Sequence, residues 1–243
     1  MKVVGRKPVL ELLESSSPVQ RVSIMLETQG RIIGQIIALA KQRGIRIDRV
    51  PRERVKQVFG TCNHQGVMAE ISPFALYNLN DLGTTKIPIR NNLLVALDGV
   101  TDPYHLGAIA RNAFGAGGDA LILPRRRNAP LTDTSIKTSA GTLLKLPVIM
   151  VGNLTDTLTR LKKDDWWIIG ASGEGKTNLW RMDWNRKTAL ILGSEGKGLS
   201  LRVKAICDDL VSIPLNTALD SLSVSSAAAV ILFEIVRQRQ FHK

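Results

Sequence analysis

The sequence predicts an α/β protein of two units, a small α/β unit followed by a larger one built on a mostly parallel sheet. Short apolar runs of strand length alternate with amphipathic stretches of helical period through most of the chain. The alternation lapses between 72 and 92, where Pro73, Asn78, Asn80, Gly83, Thr84, Thr85 and Pro88 interrupt it. Beyond that lapse the apolar runs are continuous, as in strands covered by helices on both faces. The boundaries this implies are 1–75 for the first unit, 76–92 for a linker and 93–243 for the second.

The elements of the first unit follow in order. Pro8 sits where a first helical turn tolerates proline, and Val9, Leu10, Leu12 and Leu13 give that helix, 5–13, a buried side. A strand is expected over 19–26. A helix over 31–43 would bury Ile32, Ile33, Ile36, Ile37 and Ala40 and stop at Gly44. A strand over 45–50, a helix over 51–59 and a strand over 66–71 complete the unit.

The second unit opens with the strand 93–97, followed by a loop, Asp98-Gly-Val-Thr-Asp-Pro103, and a helix over 106–116 closed by Gly117 and Gly118. Further strands are expected over 120–123, 146–151, 166–170, 188–192 and 210–213, with a helix over 154–163. The run from 223 to 240 turns helical, with Val224, Ala227, Ala228, Ile231, Leu232, Ile235 and Val236 on one face. Strands 188–192 and 210–213 end sharply at Gly193 and Pro214, and open α/β sheets bind ligands beyond such carboxyl ends.

Charge points to a polyanionic partner. Lys and Arg number 33 against 21 Asp and Glu, a net +12. Residues 1–75 hold 12 of those cations and 6 of the anions, so half the excess sits in under a third of the chain. Cys62 and Cys207 are the only cysteines, too few for a disulfide framework or a metal-ligand cluster, and a reducing cytoplasm is the expected compartment. No apolar run approaches the roughly 18 residues that a membrane span needs, and the amino terminus lacks the apolar stretch of a secretion signal.

One motif misleads. Gly170-Ala-Ser-Gly-Glu-Gly-Lys-Thr177 matches the nucleotide-binding P-loop pattern and follows an apolar strand. A P-loop needs a helix whose amino terminus faces the phosphates, and 178–187 is short and not cleanly amphipathic. Nor does the next strand end in a magnesium-binding aspartate, since it ends in Gly193. An NTPase is set aside on these grounds.

Three motifs in order carry the functional reading: Leu97-Asp-Gly-Val-Thr-Asp-Pro-Tyr-His-Leu-Gly-Ala-Ile-Ala-Arg111, then Gly193-Ser-Glu-Gly-Lys-Gly198, then Ile213-Pro214 with Ser221-Leu-Ser-Val-Ser225. Together they resemble the SpoU (TrmH) family of RNA ribose 2'-O-methyltransferases, among them those that modify guanosine in 23S ribosomal RNA. The opening Gly5-Arg-Lys-Pro-Val9 and His64-Gln-Gly-Val67 resemble the small substrate-binding domain that precedes the catalytic domain in many such enzymes. The resemblance implies a trefoil knot in the second unit, a homodimer, S-adenosyl-L-methionine as cofactor and ribosomal or transfer RNA as partner.

Carried onto this sequence, the family pattern places backbone contacts to the cofactor at Gly193, Ile213 and Leu222. It makes Arg111, Glu195 and Ser223 the catalytic set: the family gives the arginine the task of activating the 2'-hydroxyl, guanidinium chemistry favours its holding the neighbouring phosphate and steadying the developing alkoxide, and Glu195 would pair with it and aim it. Ser221 has two readings, a loop hydroxyl of the site and a helix cap. His105, Arg6 and Arg125 are expected to meet RNA, Arg125 from the basic loop Pro124-Arg-Arg-Arg-Asn128. The alternative for each cation is a solvated surface charge, and His64 divides between RNA contact and a structural turn. Three positions depart from the family: His105 and Ser223 stand where it has Asn, and Thr217 where it has Gly. They keep open a second reading, an RNA-binding paralogue with an altered cofactor site.

Overall fold

The computed structural model describes residues 2–15, 19–60, 64–71, 75–216 and 221–241. Chain contacts divide it into two compact units, Met1–Ala75 and Leu76–Lys243.

The first unit runs β1 (Lys2–Val4), α1 (Arg6–Glu14), β2 (Val19–Met25), α2 (Arg31–Gln42), β3 (Arg46–Val50), α3 (Val55–Phe59) and β4 (Val67–Ile71). Its sheet has the order β1-β4-β2-β3, with β2 parallel to β3 and antiparallel to β4. Helices α1 and α2 cover one face, where Val9, Leu13, Val22, Ile24, Ile33 and Ile36 form a core. A smaller cluster of Val50, Phe59 and Met68 gathers beneath α3. Gly66, at φ +78°, stands against the side chain of Thr28, so the turn into β4 admits no Cβ. β1 was not expected from the sequence, because three residues carry too little periodicity to read; pairing with β4 defines it.

The second unit comprises β5 (Leu76–Tyr77), β6 (Leu93–Asp98), α4 (Pro103–Gly115), β7 (Ala120–Pro124), α5 (Asp133–Thr138), β8 (Val148–Val151), α6 (Leu154–Lys163), β9 (Trp167–Ala171), β10 (Thr177–Asn178), β11 (Thr188–Gly193), α7 (Leu201–Ile206), β12 (Asp209–Ser212) and α8 (Val224–Phe241). Eight strands form one sheet in the order β10-β12-β9-β11-β6-β7-β8-β5, and every pair in it is parallel. All six residues of β11 are buried, as are five of the six in β6. Each Leu or Ile so placed stabilises the unit by about 1.5–3 kcal/mol relative to exposure. The stretch 76–92, read from the sequence as a linker, instead carries β5, which pairs with β8, and Ile87, fully buried in the main core.

Helix α4 starts three residues earlier than its apolar period predicts. Asp102 Oδ1 accepts from Tyr104 N at 2.8 Å and Pro103 occupies the first turn, so the start is set by capping chemistry. Gly107 lets α5 close on α4, since a Cβ there would lie 2.6 Å from Ser135 O. α8 runs the depth of the sheet. At its far end the Arg239 guanidinium donates to the carbonyls of Asn91, Asn92, Trp184 and Arg186, fastening it beneath the starts of β6 and β11.

Chain order reverses at the centre of the sheet: β6 leads to β7 on one side, and β11 pairs on the other. The carboxyl ends beside that switch point are where an open sheet leaves a crevice.

Candidate functional site

A pocket of about 710 Å³ opens beyond the carboxyl ends of β9, β11 and β12. That lies within the roughly 300–1,000 Å³ typical of small-molecule sites. Four stretches separated in sequence line it: 171–174, 192–198, 211–215 and 221–224, with Ala227 and Ile231 of α8 behind them. Gly193, Glu195, Ile213, Leu222 and Ser223 therefore meet in one cavity.

The 193–198 loop is closed on itself, Ser194 N donating to Gly198 O and Gly198 N to Ser194 O at 3.1 and 2.9 Å. Gly196 and Gly198 take positive φ of 79° and 64° to make that turn. Gly193 is glycine for a reason the sequence did not disclose. A Cβ there would lie 2.5 Å from Gly198 O and Leu199 N, so the close backbone approach at this position is the protein's own chain. The turn is tied to β6 by Ser200 N, which donates to Asp98 Oδ2 at 2.7 Å. Among the described residues the peptide groups of Ile213, Leu215 and Leu222 make no hydrogen bond within the chain, which leaves backbone donors and acceptors for a ligand.

Glu195 and Arg111 are not paired. Glu195 Oε1 lies 3.1 Å from His105 Nε2, and His105 Nδ1 lies 3.2 Å from Ser225 Oγ. Arg111 is exposed on α4, does not line the pocket and has no ion-pair partner among the described residues. Six residues separate it from His105, about 240° of helical rotation, so the two leave α4 in different directions. The pairing expected between Glu195 and Arg111 is thus replaced by one with His105.

Ser223 lines the pocket and also caps α8: its Oγ accepts from Ser226 N at 3.3 Å and lies 3.2 Å from Ser225 Oγ. The capping role considered for Ser221 falls two residues later. Thr217 lies outside the described residues.

The other predicted contacts are dispersed. Arg125 follows β7 on the same sheet edge but does not line the pocket, and partial burial lowers its pKa. Arg6, in the first unit, donates through Nε to Gln65 O at 3.2 Å, bracing the turn before β4. His64 is engaged in that same turn, accepting from Gly66 N through Nδ1 and resting on the Phe59 ring.

Sequence reasoning passed over 171–174 in dismissing the P-loop. Thr177 enters β10 and pairs with β12 instead of starting a helix, yet Ala171, Ser172, Gly173 and Glu174 form one wall of the pocket. Lys204 of α7 reaches across to Glu174 at 2.5 Å, a hydrogen bond that lowers the Glu174 pKa. The available signal was positional: the segment follows a strand that ends beside β11. Among the described residues no cluster of His, Cys, Asp and Glu could hold a metal, and no helix is long and apolar enough to cross a membrane.

Fold and site define a class: a parallel open sheet with a backbone-lined small-molecule pocket at strand ends beside its switch point, in a chain that also carries a small basic α/β unit. Comparison with known proteins names the family. Residues 92–233 match the SpoU rRNA methylase family, and residues 2–77 match the substrate-binding domain of RNA 2'-O ribose methyltransferases. The chain is 34% identical over 238 residues to Bacillus subtilis YacO, assigned to the TrmH family of tRNA/rRNA methyltransferases, covering 98% of this chain and 95% of that one. An uncharacterised tRNA/rRNA methyltransferase of Synechocystis is 37% identical over 241 residues; this chain spans 63% of its length and is itself 98% covered. Among solved structures, the SpoU methyltransferase AviRb from Streptomyces viridochromogenes, in complex with AdoMet, superposes with a TM-score of 0.62 at 25% identity, over 98% of this chain and 90% of that one. The protein belongs to the SpoU/TrmH family of RNA methyltransferases.

Proposed function

We propose that the chain transfers a methyl group from S-adenosyl-L-methionine to a ribose 2'-hydroxyl of RNA, a guanosine of 23S ribosomal RNA being the substrate put forward. The observation that carries this reading is the meeting of 193–198, 211–215 and 221–224 around one cavity, with the peptide groups of Ile213, Leu215 and Leu222 unpaired among the described residues. The fit rests on that donor set: adenine edges and an amino-acid end are recognised by peptide N–H and C=O groups, and Leu192, Val211, Ala227 and Ile231 supply apolar walls.

Bound there, the cofactor supplies an electrophilic methyl group on a sulfonium. The chain's task is placement, because a displacement of this kind depends on aligning the attacking oxygen with the carbon and its leaving group. Arg111, exposed and without an ion-pair partner among the described residues, is available to hold an RNA phosphate and steady charge developing on the ribose oxygen. The excess of Lys and Arg in residues 1–75 supplies non-specific affinity for the RNA backbone. A homodimer belongs to the proposal: Phe114 of α4 and Phe233 of α8 are 40% and 50% exposed, and Phe233 lies against α4 at Gly115, an apolar surface a second copy would cover. A trefoil knot in the second unit and a cytoplasmic location complete it.

Labelled cofactor and 23S ribosomal RNA lacking ribose methylation test the activity. Label on a ribose 2'-oxygen supports the proposal, and RNA binding without transfer favours the non-catalytic paralogue instead. Arg111→Ala should lower transfer about 100-fold while cofactor affinity, measured by calorimetry, is unchanged. Loss of cofactor affinity would remove Arg111 from the substrate side.

A further inference from the structure

The first turn of α4 abuts the pocket through His105, whose Nε2 lies 3.1 Å from Oε1 of Glu195 on the pocket wall. Tyr104, one position earlier, leaves the helix about 100° away from His105. It is 64% exposed, the most exposed aromatic ring among the described residues. Capping of α4 uses its peptide N–H, which donates to Asp102 Oδ1 at 2.8 Å, so the helix start does not depend on the ring. Arg111 follows by seven residues, which returns it to within about 20° of the same face and about 10.5 Å further along the axis. On that face Ala108 stands between them, a single methyl that leaves a clear path from ring to guanidinium. Further cations are close in the fold: Arg126 and Arg127 are exposed on the loop after β7, and Ala129 N of that loop donates at 2.7 Å to Val100 O in the loop that leads into α4.

We infer that Tyr104 is a stacking platform for an unpaired RNA base beside the pocket, and that the substrate presents its target ribose in a loop or single strand. The inference deepens the function proposed above and rests on RNA being the substrate. An exposed aromatic ring offers a rigid face at little ordering cost, and every base has a face to lay on it, so the contact is strong without reading sequence. Within a duplex both faces of a base are covered by its neighbours; only a base splayed out of the stack is free to meet the ring. Charge sorts the two contacts along the helix. The carboxylates of Asp102 and Glu195 stand at the first turn and repel a phosphate there, whereas the face of a base carries no net charge. The phosphate therefore belongs two turns along, at Arg111, and the base at Tyr104. Holding an RNA strand at both points limits the positions of the ribose beside them, which is what an in-line displacement requires of its attacking oxygen.

The experiment is equilibrium binding of the full chain to 23S ribosomal RNA lacking ribose methylation, without cofactor, from about 50 to 200 mM salt. Stacking neutralises no phosphate, so Tyr104→Ala should bind about 10-fold more weakly at every salt concentration, with the same slope of log affinity against log salt. Arg111→Ala should instead flatten that slope by about one. Tyr104→Phe and Tyr104→Trp keep a ring and should bind as the unaltered protein does. A fully paired RNA duplex should bind the Tyr104→Ala and unaltered chains equally. Undiminished affinity of Tyr104→Ala for the ribosomal RNA overturns the platform. So does a Tyr104→Phe protein as weak as Tyr104→Ala, which would assign the contact to the hydroxyl, and so does an equal loss on the duplex. A Tyr104→Ala chain that sediments as a monomer where the unaltered chain is a dimer would show that a second copy covers the ring, which also overturns it. An unaltered protein that binds this RNA but transfers no label from S-adenosyl-L-methionine overturns the proposed activity alone, and the Ala and Phe binding curves still decide the platform.

Discussion

Two glycine-rich loops on neighbouring strands, 170–177 after β9 and 193–198 after β11, share the run Gly-Lys and nearly the same spacing, yet they do different things. The β11 loop folds back on itself through the paired Ser194 and Gly198 hydrogen bonds and turns into α7, so its glycines are consumed by its own geometry. The β9 loop closes only a single turn, Gly175 N donating to Ser172 O at 3.0 Å, and passes into β10, where Thr177 Oγ1 donates to the Asp209 carboxylate at 2.8 Å. A sequence pattern for phosphate binding was therefore realised in a loop with no helix behind it. What decides the role of such a loop is the element that follows, since only a helix aims a row of free N–H groups at an anion.

Substitutions can break or sharpen that contrast, and they rank by how closely backbone passes each position. Gly193→Ala should have the largest effect: the added methyl meets the backbone of Gly198 and Leu199, which cannot yield as a side chain would. A loss of about 3 kcal/mol in chemical denaturation is expected, together with loss of cofactor binding by calorimetry. Near-native stability there would show that the turn is not held by its own packing. Gly175→Ala comes next, because its Cβ would lie 2.5 Å from Leu210 O; a loss of about 2 kcal/mol is expected as β12 is pushed aside. Thr177→Val removes one hydrogen bond to Asp209 and should lower stability by about 1 kcal/mol while leaving nucleoside triphosphates without effect on the melting temperature. A melting shift with magnesium and ATP in the unaltered protein would restore the P-loop reading. Gly173→Ala is the smallest change, since nothing lies within 4 Å of the added methyl: within about 0.5 kcal/mol of the parent, although the residue lines the pocket.

The same distinction explains what could be read in advance. Strands such as β6, β7, β9 and β11 were legible to within a residue or two because four or five consecutive apolar residues admit few alternatives between turn signals. α8 was legible because its apolar face repeats at helical spacing over eighteen residues. Elements defined by pairing or capping were not. β1, β5 and β10 are three residues or fewer, and α7 is six residues packed through Val203. The pocket residues Gly193, Ile213 and Leu222 were found by motif, whereas 171–174 was discarded with the motif that flagged it.

From residue order alone came the alternation that makes an α/β protein, the break near residue 75, the polyanion-seeking charge, and the loops at strand ends where a ligand would sit. These are local properties, carried by periodicity and composition over a few turns or strands. Tertiary structure alone decided that Glu195 meets His105 instead of Arg111, with Ser225 approaching the same ring. Those contacts bring atoms within about 3 Å from residues 90 and 120 positions away from His105, and no spacing along the chain encodes such a distance.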